Sequence, residues 1–186
     1  MANRNTQGFG LIAAGALGST PATSGQGKYK IDAGYGTTIF HGGAVASAAG
    51  YIIEGQGTDT PILGVLNGIF YNAATTLKPT FANHYVQVTP ANSEDIDAFV
   101  FDNPQQQYVV ATDDAVAQAG YLETYDMNVS AGSTTTGQSS ATLDIADTSA
   151  DADSWRLLRS AEDPENAENA AFRSVVVVAN LIELQS

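Results

Sequence analysis

Residues 96–111 read Ile-Asp-Ala-Phe-Val-Phe-Asp-Asn-Pro-Gln-Gln-Gln-Tyr-Val-Val-Ala, and this stretch limits the fold more than any other. Two runs of β-forming residues, 98–101 and 108–111, flank a polar break at Asn103-Pro104. There the ring fixes the proline φ and pushes Asn103 into extended backbone, so the pattern predicts a β-hairpin. Phe99 and Phe101 share one face of the first strand and Ala98 and Val100 the other. Neither face is built for water, which places the pair inside a sandwich or barrel.

The remaining punctuation agrees with that class. Strand-forming runs recur at residues 28–31, 37–40, 51–54, 62–66, 69–71, 85–88, 121–129, 141–145, 155–158 and 174–184. Glycines at 36, 42, 43, 50, 55 and 57 interrupt too often for helices. Asn67-Gly68 lies between two β-rich runs and predicts a two-residue turn, because both residues tolerate positive φ. Asp113-Asp114 offers N-caps for one or two helical turns, and Asp163-Pro164-Glu165 offers another short helix start. Residues 131–140 read as an exposed, mobile loop. The final Val175-Val-Val-Val178 run has strong β propensity and no charge; on an open edge it would invite pairing with other chains, so it must lie centrally, beside the strands of residues 96–111. The expected architecture is an all-β sandwich or barrel of about ten short strands, over residues 25–186, preceded by an extended N-terminal arm, residues 1–24.

The first residues superficially resemble a signal peptide, with Arg4 ahead of an apolar run from Phe9 to Leu17. The run is broken by Gly10 and Gly15, and a membrane span needs about 20 apolar residues, so no membrane is expected as partner. An apolar, glycine-rich arm calls for a covering partner, which makes Phe9, Leu11, Ile12 and Leu17 the candidate contact residues. Residues 19–27 form a Ser/Thr/Gly/Pro linker.

Charge sharpens this division. Residues 1–93 carry four cations and three acids, net +1; residues 94–186 carry three arginines and seventeen acids, net −14; together they give the −13 of the whole chain. This charge argues against a nucleic-acid partner, which would need a basic surface, and none is expected. A near-neutral half suits lying against another surface, and a strongly acidic half suits facing solvent.

Catalytic signals are weak. There is no cysteine, which removes thiolate metal sites and cysteine nucleophiles. His41 and His84, the only histidines, read as ordinary hydrogen-bonded side chains. Gly25-Gln-Gly27 and Gly34-Tyr-Gly36 lack the strand-to-helix setting that phosphate cradling needs. Asp144, Asp147, Asp151 and Asp153 could supply oxygen ligands for calcium, but without the central glycine and closing glutamate of a helical calcium loop they read as a solvated acidic loop. No cofactor and no enzymatic activity are expected.

The order of segments carries a resemblance. Leu-Gly-Val-Leu-Asn-Gly-Ile-Phe-Tyr at 63–71, residues 81–85, Asp-Ala-Phe-Val-Phe-Asp-Asn-Pro at 97–104, Gly-Gln-Ser-Ser at 137–140 ahead of Leu143-Asp144, and the closing valine strand together resemble the small head decoration, or cement, proteins of tailed bacteriophages. The likeness spans residues 25–184. It implies a β-sandwich or barrel on the outside of an icosahedral head, often a homotrimer, bridging copies of the major capsid protein; no catalytic motif comes with it. The chain itself is too short and too poor in helix to be the shell protein. The implied location is the outer surface of the virion, after assembly in the host cytoplasm. The competing expectation is a virion or cell-surface β-domain that binds host glycan.

Overall fold

The computed structural model describes residues 5–18, 25–55, 61–129, 132–146, 153–162, 164–167 and 170–185. These form an all-β molecule of antiparallel sheets, consistent with a β-sandwich, whose helical content is confined to single 3-10 turns. One sheet orders β1 (Ile12–Ala16), β8 (Gln106–Ala111), β13 (Ser174–Ala179), β12 (Trp155–Ser160) and β9 (Thr124–Tyr125) as β1-β8-β13-β12-β9. The second orders β2 (Gly27–Ile31), β7 (Ile96–Phe101), β5 (Gly64–Asn72), β3 (Ala44–Ala48) and β4 (Tyr51–Glu54) as β2-β7-β5-β3-β4. The long strand β5 pairs with β3 near its start and with β6 (Pro79–Ala82) near its end, while β4 curls back towards β2. A two-residue ladder joins β10 (Met127–Asn128) to β11 (Thr142–Leu143).

The valine strand is central, as its composition demands: β13 lies between β8 and β12, with Val175 and Val177 fully buried. A first core draws on both sheets, packing Tyr108, Trp155, Leu157, Val175 and Val177 with Leu11, Ile62 and Val65. Tyr108 meets Trp155 edge to face at 5.7 Å and its hydroxyl donates to the Phe101 carbonyl at 3.0 Å. A second core fills the curve of the other sheet with Ile31, Val45, Ile52, Leu66, Ile96 and Val100.

Three expectations are corrected. Strands β7 and β8 do not pair as a hairpin; each is interior to a different sheet, β7 between β2 and β5 and β8 between β1 and β13. The Asn103 turn is real, with the Gln105 N–H donating to its side chain at 3.0 Å and the Gln106 N–H to its carbonyl at 2.9 Å. It carries the chain from one layer to the other, so each strand gains two ladder partners instead of one. Phe99 on β7 is also only half-buried, so that face is less sequestered than its composition suggests. Asn67-Gly68 is not a turn: β5 runs straight through it, and the irregularity appears as a register shift against β7 between Leu66 and Gly68. Nine residues flanked by strands on both sides outweigh a local turn preference.

The helix expected after Asp113-Asp114 reduces to a 3-10 turn at Gln118–Gly120, and Pro164 and Glu165 lie in a turn. The expected strand over 121–129 is split at Asp126 into β9 and β10, those over 37–40 and 85–88 shrink to one bridge of Ile39 with Tyr85, and β3 and β6 form where no strand is expected. Of the loop 131–140, residues 133–136 are exposed. Its end is fastened, however: the His41 N–H donates to the Gly137 carbonyl at 2.9 Å, and the Gln138 amide donates to the Phe9 carbonyl at 2.6 Å.

Candidate functional site

The N-terminal residues are extended but not free. β1 pairs antiparallel with β8, Ile12 opposite Val109 and Ala16 opposite Gln106, with a bulge between Ala13 and Gly15. Before it, the Leu11 N–H donates to the Gly42 carbonyl at 2.8 Å; after it, the Leu17 N–H donates to the Gln105 carbonyl at 2.9 Å. Leu11 is 2% exposed and belongs to the first core. The expected contact set therefore divides. Leu11 is spent on the chain's own interior, Phe9 and Leu17 are half-buried, and Ile12, at 46% exposure, faces outward. Residues 1–4 and 19–24 of the expected arm lie outside the described residues.

Among the described residues β1 ends its sheet, with no strand beside one of its edges. The sequence there, Ile-Ala-Ala-Gly-Ala, carries no charge and no proline, the two commonest means of blunting an edge. The opposite end of the same sheet is β9, whose Thr124 and Tyr125 are buried together with Asp126 after them, while Glu123 before them is exposed. One sheet thus has a partly exposed, uncharged strand at one end and a buried one at the other.

A second exposed region lies on the β5–β6 hairpin. Phe70 and Phe81 face each other across the strands, ring centroids 4.7 Å apart, and Phe81 is 74% exposed. At the tip, Leu77 is 72% exposed and holds a left-handed φ of 53°. Register carries this pair across the sheet, since Phe70 stands opposite Asp97 on β7, and Asp97 opposite Lys30 on β2. Lys28 and Lys30 both bind the Asp97 carboxylate, at 2.7 and 2.6 Å. Burial would raise the Asp97 pKa, but the hydrogen bonds and charges of the two lysines outweigh it and hold the carboxyl below its ordinary range. Lys30 is correspondingly raised by its hydrogen bond to Asp97. On the same strand, burial and a 2.7 Å hydrogen bond to Asp102 push Tyr29 up to about 12.

The other candidate groups occupy separate places. His41 Nδ1 lies 3.0 Å from the Asn67 carbonyl, and His84 stacks on Phe40. Of the aspartate cluster, Asp144 caps the Ala146 N–H at 3.0 Å and Asp153 is buried; Asp147 and Asp151 lie outside the described residues. Among the described residues no group of three or more His, Cys, Asp or Glu is placed to hold a metal ion, and no helix is long and apolar enough to cross a membrane. Compared with known proteins, the chain matches no family model, no curated protein sequence and no solved structure.

Proposed function

We propose that this chain is a capsid decoration protein of a tailed bacteriophage, which binds the outer surface of the head and bridges copies of the major capsid protein. The observation that carries the reading is the open, uncharged edge of β1, with Ile12 exposed beside it. An unpaired edge offers backbone donors and acceptors to a strand of a partner, and that partner's side-chain pockets supply specificity. The bulge between Ala13 and Gly15 twists the edge, which disfavours indiscriminate pairing with other extended chains. In this reading the exposed acids of the second half, Glu94 and Glu123 among them, face solvent.

The chemistry is association, not turnover. Many copies, each attached through a modest interface and joined into a homo-oligomer of three, would clamp the shell through multivalency. The protein would meet the shell in the host cytoplasm during assembly and remain on the virion surface.

Co-sedimentation with undecorated heads of the phage that encodes the chain tests this. Wild-type protein should pellet with the heads at saturating stoichiometry, and Ala14→Lys, a charge on the exposed edge, should lose at least tenfold in affinity while melting normally. Equal binding by the variant, or no binding by either protein, contradicts the reading.

A further inference from the structure

A cleft of about 260 Å³ opens beside the Asp97 ion pair, lined by Lys30, Phe70, Tyr71, Asn72, Pro90, Glu94, Asp95 and Asp97. We propose that it binds one ring of a neutral saccharide. The inference goes beyond the capsid reading and does not rest on it, because attachment to a head is assigned to the β1 edge.

The lining selects the ligand by charge. Three carboxylates disfavour an anion, so phosphates and acidic sugars are poor occupants. Lys30 and Lys28 pair with Asp97 and offset part of that charge, so the wall is not a purely acidic one built for a cation. What remains is a neutral molecule that both donates and accepts hydrogen bonds. Sugar hydroxyls do both: they donate to carboxylate oxygens and accept from ammonium and amide N–H groups. The half-buried ring of Phe70, on the same face as Asp97, adds an apolar wall suited to the C–H face of a pyranose. The volume falls just under the range of roughly 300–1,000 Å³ typical of drug-sized ligands, which fits a single ring.

The polar groups are held in place. Lys28 and Lys30 fix the Asp97 carboxylate, and the Tyr51 hydroxyl donates to Asp95 at 3.2 Å. Glu94 and Asp95 follow a turn in which two successive non-glycine residues, Asn92 and Ser93, hold left-handed φ values of 56° and 55°. The Glu94 N–H closes that turn on the Ala91 carbonyl at 3.1 Å, and Pro90 bridges to Ala73 at the end of β5. Such strain is retained where the surroundings enforce it, and it recurs at ligand-binding loops. Phe81, packed on Phe70 and mostly exposed, continues the aromatic wall outside the cleft, where a second ring of an oligosaccharide would lie.

Saturation-transfer NMR with millimolar maltotetraose, cellotetraose, mannotetraose and galactotetraose tests the site, with tetra-arginine and a sialylated oligosaccharide as charged probes. At least one neutral tetramer should receive saturation. Its signal should fall at least tenfold in Glu94→Gln and in Phe81→Ala, both exposed positions whose variants should melt as the wild type does. Silence from all four neutral tetramers, undiminished binding by both variants, or preference for either charged probe overturns the proposal.

Discussion

Leu77 stands where glycine would fit better. Its Cβ sits in left-handed backbone at a cost of about 1–2 kcal/mol, and its side chain recovers little by burial because it is mostly exposed. Glycine removes that strain but adds about 0.5–1 kcal/mol of unfolded-state entropy. Leu77→Gly should therefore raise stability by about 0.5 kcal/mol in urea denaturation, and a destabilised variant would mean that the hairpin tip packs more than its exposure implies. Asp97 makes a different residue-scale prediction. Its folded pKa is depressed, so its contribution is complete above the ordinary carboxylate range and is lost as pH falls through the folded value. Both lysines are half-exposed or more, so Asp97→Asn should cost no more than about 1 kcal/mol at pH 7. Wild type and variant should converge once pH falls below the folded value, where the carboxylate is protonated in both folded and unfolded chains. In the first core, Trp155→Ala removes the partner of Tyr108 from a fully buried position and should cost about 3–5 kcal/mol by the same measurement.

At the level of elements, composition located the strands better than it located their partners. The valine run had to be central, because an uncharged strand on an edge pairs with whatever it meets, and β13 is central. By contrast, Asn103-Pro104 specified a change of direction without specifying the sheet to which the chain returns; that choice is made by the ladders with β1, β13, β2 and β5, all distant in sequence. Asn67-Gly68 misled for the same reason, since strands on both sides of β5 override local turn chemistry. The apolar N-terminus was legible as a segment needing cover, but not that Leu11 finds it within the same chain. Leu11→Ala should consequently cost about 2–5 kcal/mol in the isolated protein, where a free arm would predict no change in thermal melting. The saccharide cleft was illegible in advance, because its walls come from β2, β5, β7 and the turn before β7, and no sequence window contains them together.

For the whole molecule, the division between a near-neutral first half and an acidic second half is only partly a division in space. Strand β7 of the second half lies between β2 and β5 of the first, and β1 of the first half closes the edge of a sheet otherwise built from the second. An uncharged, exposed edge strand gains by having a partner cover it, which is the physical basis for proposing that β1 faces a shell. Self-association follows the same logic, and light scattering after size exclusion should give three times the 19.3 kDa chain mass; a monomer at high concentration would contradict that stoichiometry. The central claim, that this protein acts by covering and joining other protein surfaces, is tested most directly by electron cryomicroscopy of heads assembled with the purified chain. The account predicts density over capsomer junctions with β1 against the shell; bare heads, or a bound chain with β1 facing solvent, would contradict it.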